Sequence, residues 1–128
     1  MPQDQASGAR ARDFGYTMAR VVAREIGAVL TDSAQSNEAE FRGQRVVLKS
    51  ARPRTSGIGV TEGTLARVDA VLAALGAPEN VFHVYKIPVA WYREHMRRDV
   101  RPHSNVYHVG RREIVGACER IASVAVQG

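Results

Sequence analysis

The sequence predicts an α/β fold: a single domain over residues 13–128, with a mixed sheet of four to five strands flanked by about four helices. Three observations lead there. Apolar residues recur at helical spacing in separate segments. Between them stand short runs rich in β-branched and aromatic residues, VFHVYKI above all. No repeat and no long linker divides the chain, and 128 residues suit one hydrophobic core.

Taken in order, the first dozen residues, MPQDQASGARAR, are small and polar; residues 1–12 predict a flexible N-terminal arm without a secretory signal. A first helix follows from about Asp13 to Gly27, with Asp13 as N-cap and Gly27 as stop. Its large apolar residues, Phe14, Met18, Val21, Val22 and Ile26, form one stripe. Ala28 to Asp32 predicts a short strand. Glu38 to Phe41 and Arg45 to Ser50 predict a hairpin turning at Gly43-Gln44. Thr61 caps a second helix over about Glu62 to Leu75, ended by Gly76, Ala77 and Pro78. VFHVYKI is a strand, and Pro88 opens a short helix over WYREHMRR. Asn105 to Val109 predicts an edge strand and Arg112 to Val124 a closing helix.

The balance of charge points to a polyanionic partner. The net charge is +5 and the pI near 10, and all but two of the eighteen basic residues are arginine. A bias of that kind also arises in a GC-rich genome, so the placement of the charges decides more than their number. No apolar run reaches the ~20 residues that a membrane-spanning helix requires, and none of the partners expected is a membrane. The single cysteine, Cys118, excludes an internal disulfide and fits a reducing cytoplasm.

The segment NEAEFRGQRVVLKSA holds the most concentrated chemistry. With a two-residue loop at 43-44, Glu40 would oppose Val47 and Glu38 would oppose Lys49. That places Glu38, Glu40 and Lys49 on one face and Ala39, Phe41, Val46 and Leu48 on the other. A one-residue slip would separate Lys49 from both acids. Glu25 lies near the centre of the first helix's apolar stripe, where a carboxylate must be paired, hydrogen-bonded or bound to a cation. A wet stripe edge, or pairing with an arginine, explains Glu25 equally well. Lys49 ends the apolar run VVLK, near the strand end where open α/β sheets place ligands.

A helix with an inward acid, an acidic hairpin whose second strand ends in lysine, then a helix and a strand, resembles the restriction-endonuclease-like core of the PD-(D/E)xK nucleases. The resemblance spans roughly residues 13–87. It implies Mg²⁺-dependent hydrolysis of DNA phosphodiesters, with Glu25 and either Glu40 or Glu38 holding metal and Lys49 positioning water. The sequence departs from the motif at Val47, where the second acid belongs. The resemblance then requires Glu40 to project into that space or Glu62 to supply a migrated acid. A core that has lost catalysis and retains binding is the alternative.

Elsewhere, ARPRTSGIG carries Arg52 and Arg54 among glycines and hydroxyls and can grip phosphates, although it is not a Walker loop. Arg97, Arg98 and Arg101, with Arg93, Arg111 and Arg112, alternate with Trp91, Tyr92 and Tyr107, a mixture suited to a nucleic-acid backbone. The four histidines lack zinc spacing, and Cys118 sits in an apolar pattern. The function expected is therefore a DNA-binding protein with a nuclease-like core that hydrolyses DNA with Mg²⁺. The alternative is a non-catalytic nucleic-acid-binding or subunit-docking protein, whose protein partner is a second copy or a larger chain.

Overall fold

The computed structural model describes residues 5–31 and 37–126, with side chains from residue 13 onward. Helix α1 (Gln5–Ile26) leads into β1 (Val29–Leu30), β2 (Glu38–Phe41), β3 (Gln44–Ala51) and β4 (Gly57–Thr61). Then come α2 (Glu62–Arg67), β5 (Ala70–Ala77), a 3-10 turn (Pro78–Asn80), β6 (Val81–Pro88) and α3 (Val89–His95). Strands β7 (Arg97–Arg98) and β8 (Val106–Gly110), helix α4 (Arg111–Ala117) and β9 (Glu119–Ala125) complete the order.

Six strands pair in the order β1-β2-β3-β5-β6-β9, and a second, three-stranded sheet pairs as β4-β8-β7. The fold is thus α/β with a mixed sheet and four helices among the described residues, but the main sheet is wider than the four to five strands expected. Among the described residues only β3 and β5 run parallel; their connection carries β4 and α2. The added width comes from two segments that the sequence reads as helix.

The second helix ends at Arg67, not near Leu75, and AVLAALGA becomes the central strand β5. Seven of its eight residues are buried, because α1 covers one face and the short helices with the small sheet cover the other. A strand apolar on both faces loses its period-2 signature and cannot be told from a buried helix by pattern. Likewise the closing helix stops at Ala117, and Glu119–Ala125 pairs with β6 as the edge strand β9. Residues 5–12, expected in the arm, belong to α1, and Asp13, expected as its N-cap, lies inside it; residues 1–4 lie outside the described residues.

Other punctuation works locally as the residues suggest. Gly27, at φ 81°, ends α1, and the Ala28 amide donates to the Ala23 carbonyl at 2.9 Å. Thr61 caps α2, its hydroxyl accepting from the Thr64 amide at 3.2 Å.

Two apolar clusters lie on opposite faces of the main sheet. On the first, Met18, Ala19, Val22 and Ala23 of α1 pack on Ala39, Phe41, Val46, Leu48, Leu72 and Val84. On the second, Val47, Val71, Tyr85 and Ile87 meet Leu65, Tyr92, Val109 and Ile114 from α2, α3, β8 and α4. Residues of odd number in β3, Lys49 among them, belong to this second face.

Candidate nucleic-acid interface

The hairpin forms, with a different turn from the one expected. Phe41 pairs with Gln44, so Arg42-Gly43 make the two-residue loop, with φ values of 52° and 80°. Positive φ at both positions is the type I′ geometry that suits strand twist. Consequently Glu38 opposes Val47 and Glu40 opposes Arg45. The shift is by two residues, so both acids still share a face with Lys49, but Lys49 stands two residues beyond the position across from Glu38.

Glu38 is buried and held by two arginines. Arg67 Nη2 donates to Oε2 at 2.6 Å and Arg67 Nε at 3.1 Å, while Arg45 Nε lies 3.5 Å from Oε1. The Arg67 hydrogen bonds, aided by both positive charges, hold the Glu38 carboxyl below its ordinary range despite burial. This is the geometry of a neutralised structural carboxylate. A hard cation would have to displace two guanidinium groups to reach it.

The remaining carboxylates do not converge with it. Glu25 is exposed and rides on α1, against the face opposite Lys49. The reason is the pair of alanines, Ala19 and Ala23, both buried at 2–3% exposure. They draw the buried stripe away from the line of large residues and leave Glu25 at its flank. Glu62 is bound to Arg93, whose Nη2 donates to Oε2 at 3.0 Å; that contact lowers the Glu62 pKa. Glu40 is exposed. Among the described residues no three Asp, Glu, His or Cys side chains stand close enough to share a metal ion. The set Glu25, Glu38, Glu40 and Glu62 therefore does not fit the Mg²⁺ site that the resemblance implies.

Lys49 is half-buried and makes no hydrogen bond or ion pair with the described residues. It pairs in register with Ala73, which in turn pairs with Tyr85, so the small alanine separates the two larger side chains on the second face. Burial alone pushes the amine's pKa down. Cys118 is also half-buried, packs on the second cluster, and has its thiol pKa raised by burial. His95 stacks on Trp91 at 4.0 Å between centroids, and its Nδ1 lies 2.9 Å from the Trp91 carbonyl oxygen.

The basic loop after β3 is firmly tied. Arg111 donates to the carbonyls of Thr55, Gly76 and Arg52 at 2.9, 3.0 and 2.6 Å. Its own amide donates to the Ser56 carbonyl at 2.6 Å. One guanidinium thus fastens the loop to the end of β5. The close approach also requires Gly76, because a Cβ there would lie 2.8 Å from Pro53 Cδ.

Two clefts of about 390 Å³ each flank this tie and share Thr55, Ser56 and Gly110. One is rimmed by Arg54, Arg111, Arg112 and Glu113, the other by Arg97 and His108. Arg54 and Arg112 are exposed, and neither is paired with a described residue. Arg97 shares Glu113, with Nη1 3.2 Å from Oε1. Of the five arginines expected to bind nucleic acid, Arg54 and Arg97 therefore lie on this basic rim. Arg52 turns aside and stacks over Phe14 at 4.1 Å. Arg98 donates to the Ser104 carbonyl at 3.3 Å, and Arg101 is paired with Asp99. Arg67 is the contributor that sequence reasoning missed: 29 residues separate it from Glu38, and no local pattern joins them.

No protein-family model matches the chain, and no curated protein matches it.

Proposed function

We propose that this is a DNA-binding protein of the cytoplasm whose nuclease-like core is degenerate and does not hydrolyse its ligand. The supporting observation is the pair of adjoining clefts, where Arg54, Arg97, Arg111 and Arg112 reach one surface from β7, α4 and the loop after β3. Glu113 is the single acid on that rim. Arg54 rises from a loop whose backbone is already fixed by hydrogen bonds, so meeting a phosphate orders its side chain alone. The degenerate character is supported by Val47 in place of an acid, by the arginines on Glu38 and by the placement of Glu25.

Retention of a fluorescent DNA oligonucleotide tests the reading. Affinity should fall steeply with salt as counterions are released. The double substitution Arg54→Ala with Arg112→Ala should lower the slope of log affinity against log salt by about two. Absence of salt-dependent binding would remove the proposal. Cleavage of plasmid DNA with Mg²⁺, abolished by Lys49→Ala in a folded chain, would replace it with a hydrolase.

A further inference from the structure

Next to the basic clefts, across the same loop, lies a cavity of quite different character. It is an open hollow of about 510 Å³, within the ~300–1,000 Å³ usual for small-molecule sites. Its walls include Phe14 and Thr17 of α1, Arg52 and Pro53 of the loop, Asn80 of the 3-10 turn and Phe82 of β6. The two phenylalanine rings are tilted at 45° with centroids 6.2 Å apart, and the Arg52 guanidinium covers the Phe14 face. Asp13 also lines it.

Pro53 lines both this cavity and the cleft of Arg54, Arg111 and Arg112. It approaches Gly76 so closely that a Cβ there would lie 2.8 Å from Pro53 Cδ, and it forms the partition between the two. Arg52 and Arg54, on either side of Pro53, thereby serve an aromatic hollow on one side and a basic rim on the other. A single-stranded nucleic acid has the matching alternation: a charged phosphate backbone and apolar, stackable base faces. The polar groups of Thr17, Asn80 and Asp13 are of the kind that hydrogen-bond a base edge. A duplex hides its base faces in the stack and offers this cavity nothing.

Resting on the DNA-binding reading, we infer that the ligand is single-stranded, with one unstacked base entering the cavity between Phe14, Phe82 and Arg52 while its neighbouring phosphates lie on the Arg54–Arg112 rim. The base exchanges the Arg52 plane for its own against Phe14, or stacks upon that plane, both being favourable for a flat π system.

Fluorescence anisotropy with three probes of one length tests this: an intact single strand, the same strand with abasic sites, and the corresponding duplex. The intact strand should bind about tenfold more tightly than the abasic strand, the loss expected when one base stack is removed. Phe14→Leu, which keeps apolar volume, and Arg52→Lys, which keeps charge, should each weaken intact-strand binding several-fold. Phe14→Leu should leave the abasic strand's affinity as it was. Equal affinity for intact and abasic strands, or indifference to both substitutions, would overturn the inference and leave salt-dependent DNA binding standing. Failure of all three probes to bind would remove the DNA-binding reading and this inference with it.

Discussion

The two faces of the main sheet are covered by different means. On the first face one long helix, α1, seals a cluster that is wholly apolar, with alanines where helix and sheet meet. On the second, short helices and a three-stranded sheet are fastened by polar ties: Arg67 to Glu38, Arg93 to Glu62, and Arg111 to three carbonyls. Both faces bury large side chains. The difference is that the second is held by ion pairs and carbonyl ties, whereas the first is held by apolar packing, with Arg52 laid over Phe14 at its edge.

That contrast can be broken most strongly by packing. Leu72→Ala on the first face, 1% exposed, should cost about 3 kcal/mol, measured by urea unfolding, with little dependence on salt. Arg111→Met should cost less, about 2 kcal/mol, because three carbonyls lose a donor. Its signature is local: amide exchange should accelerate at Thr55 and Ser56 and not in α1.

Glu38→Gln should cost about 1 kcal/mol, since its exposed arginine partners are screened by solvent. The Glu38 pKa is lowered in the folded state, so its contribution is fully present above the ordinary carboxylate value of 4.5. It is lost as pH falls through the depressed folded value. Thermal unfolding between pH 6 and 3 should therefore show a gentler acid slope in the glutamine variant.

The smallest effect has the opposite sign. Lys49→Met should stabilise the chain by about 1 kcal/mol at pH 7, because a half-buried ammonium without a described partner is removed. Burial lowers the folded pKa, so the unfolded state binds the proton more tightly. Stability of the parent chain should accordingly rise as pH increases toward the ordinary lysine value of 10.5, and this rise should vanish in the variant. A destabilised Lys49→Met would show that the amine has a favourable role on the second face.

The legibility of these features follows the range of the interactions. Gly27, Thr61 and the strand VFHVYKI were readable because caps, φ preferences and β-branched runs act over a few residues. The hairpin was readable in kind, yet its register depended on whether Arg42 accepts a positive φ. The helix stripe was read from large residues alone, so the weight of Ala19 and Ala23 was missed and Glu25 was placed inward. For the basic surface, sequence located Arg54 and Arg97 but could not distinguish them from Arg101, which Asp99 neutralises.

By itself, then, the sequence determined an α/β fold, the Gly27 stop and the Thr61 cap, a hairpin placing Glu38, Glu40 and Lys49 on one face, and an excess of arginine. Tertiary structure decided that AVLAALGA is a central strand, that Glu25 and Lys49 lie on opposite sides, and that Arg67 claims Glu38. The physical reason is that burial on both faces erases periodicity, and ion pairs between distant segments leave no trace in local pattern.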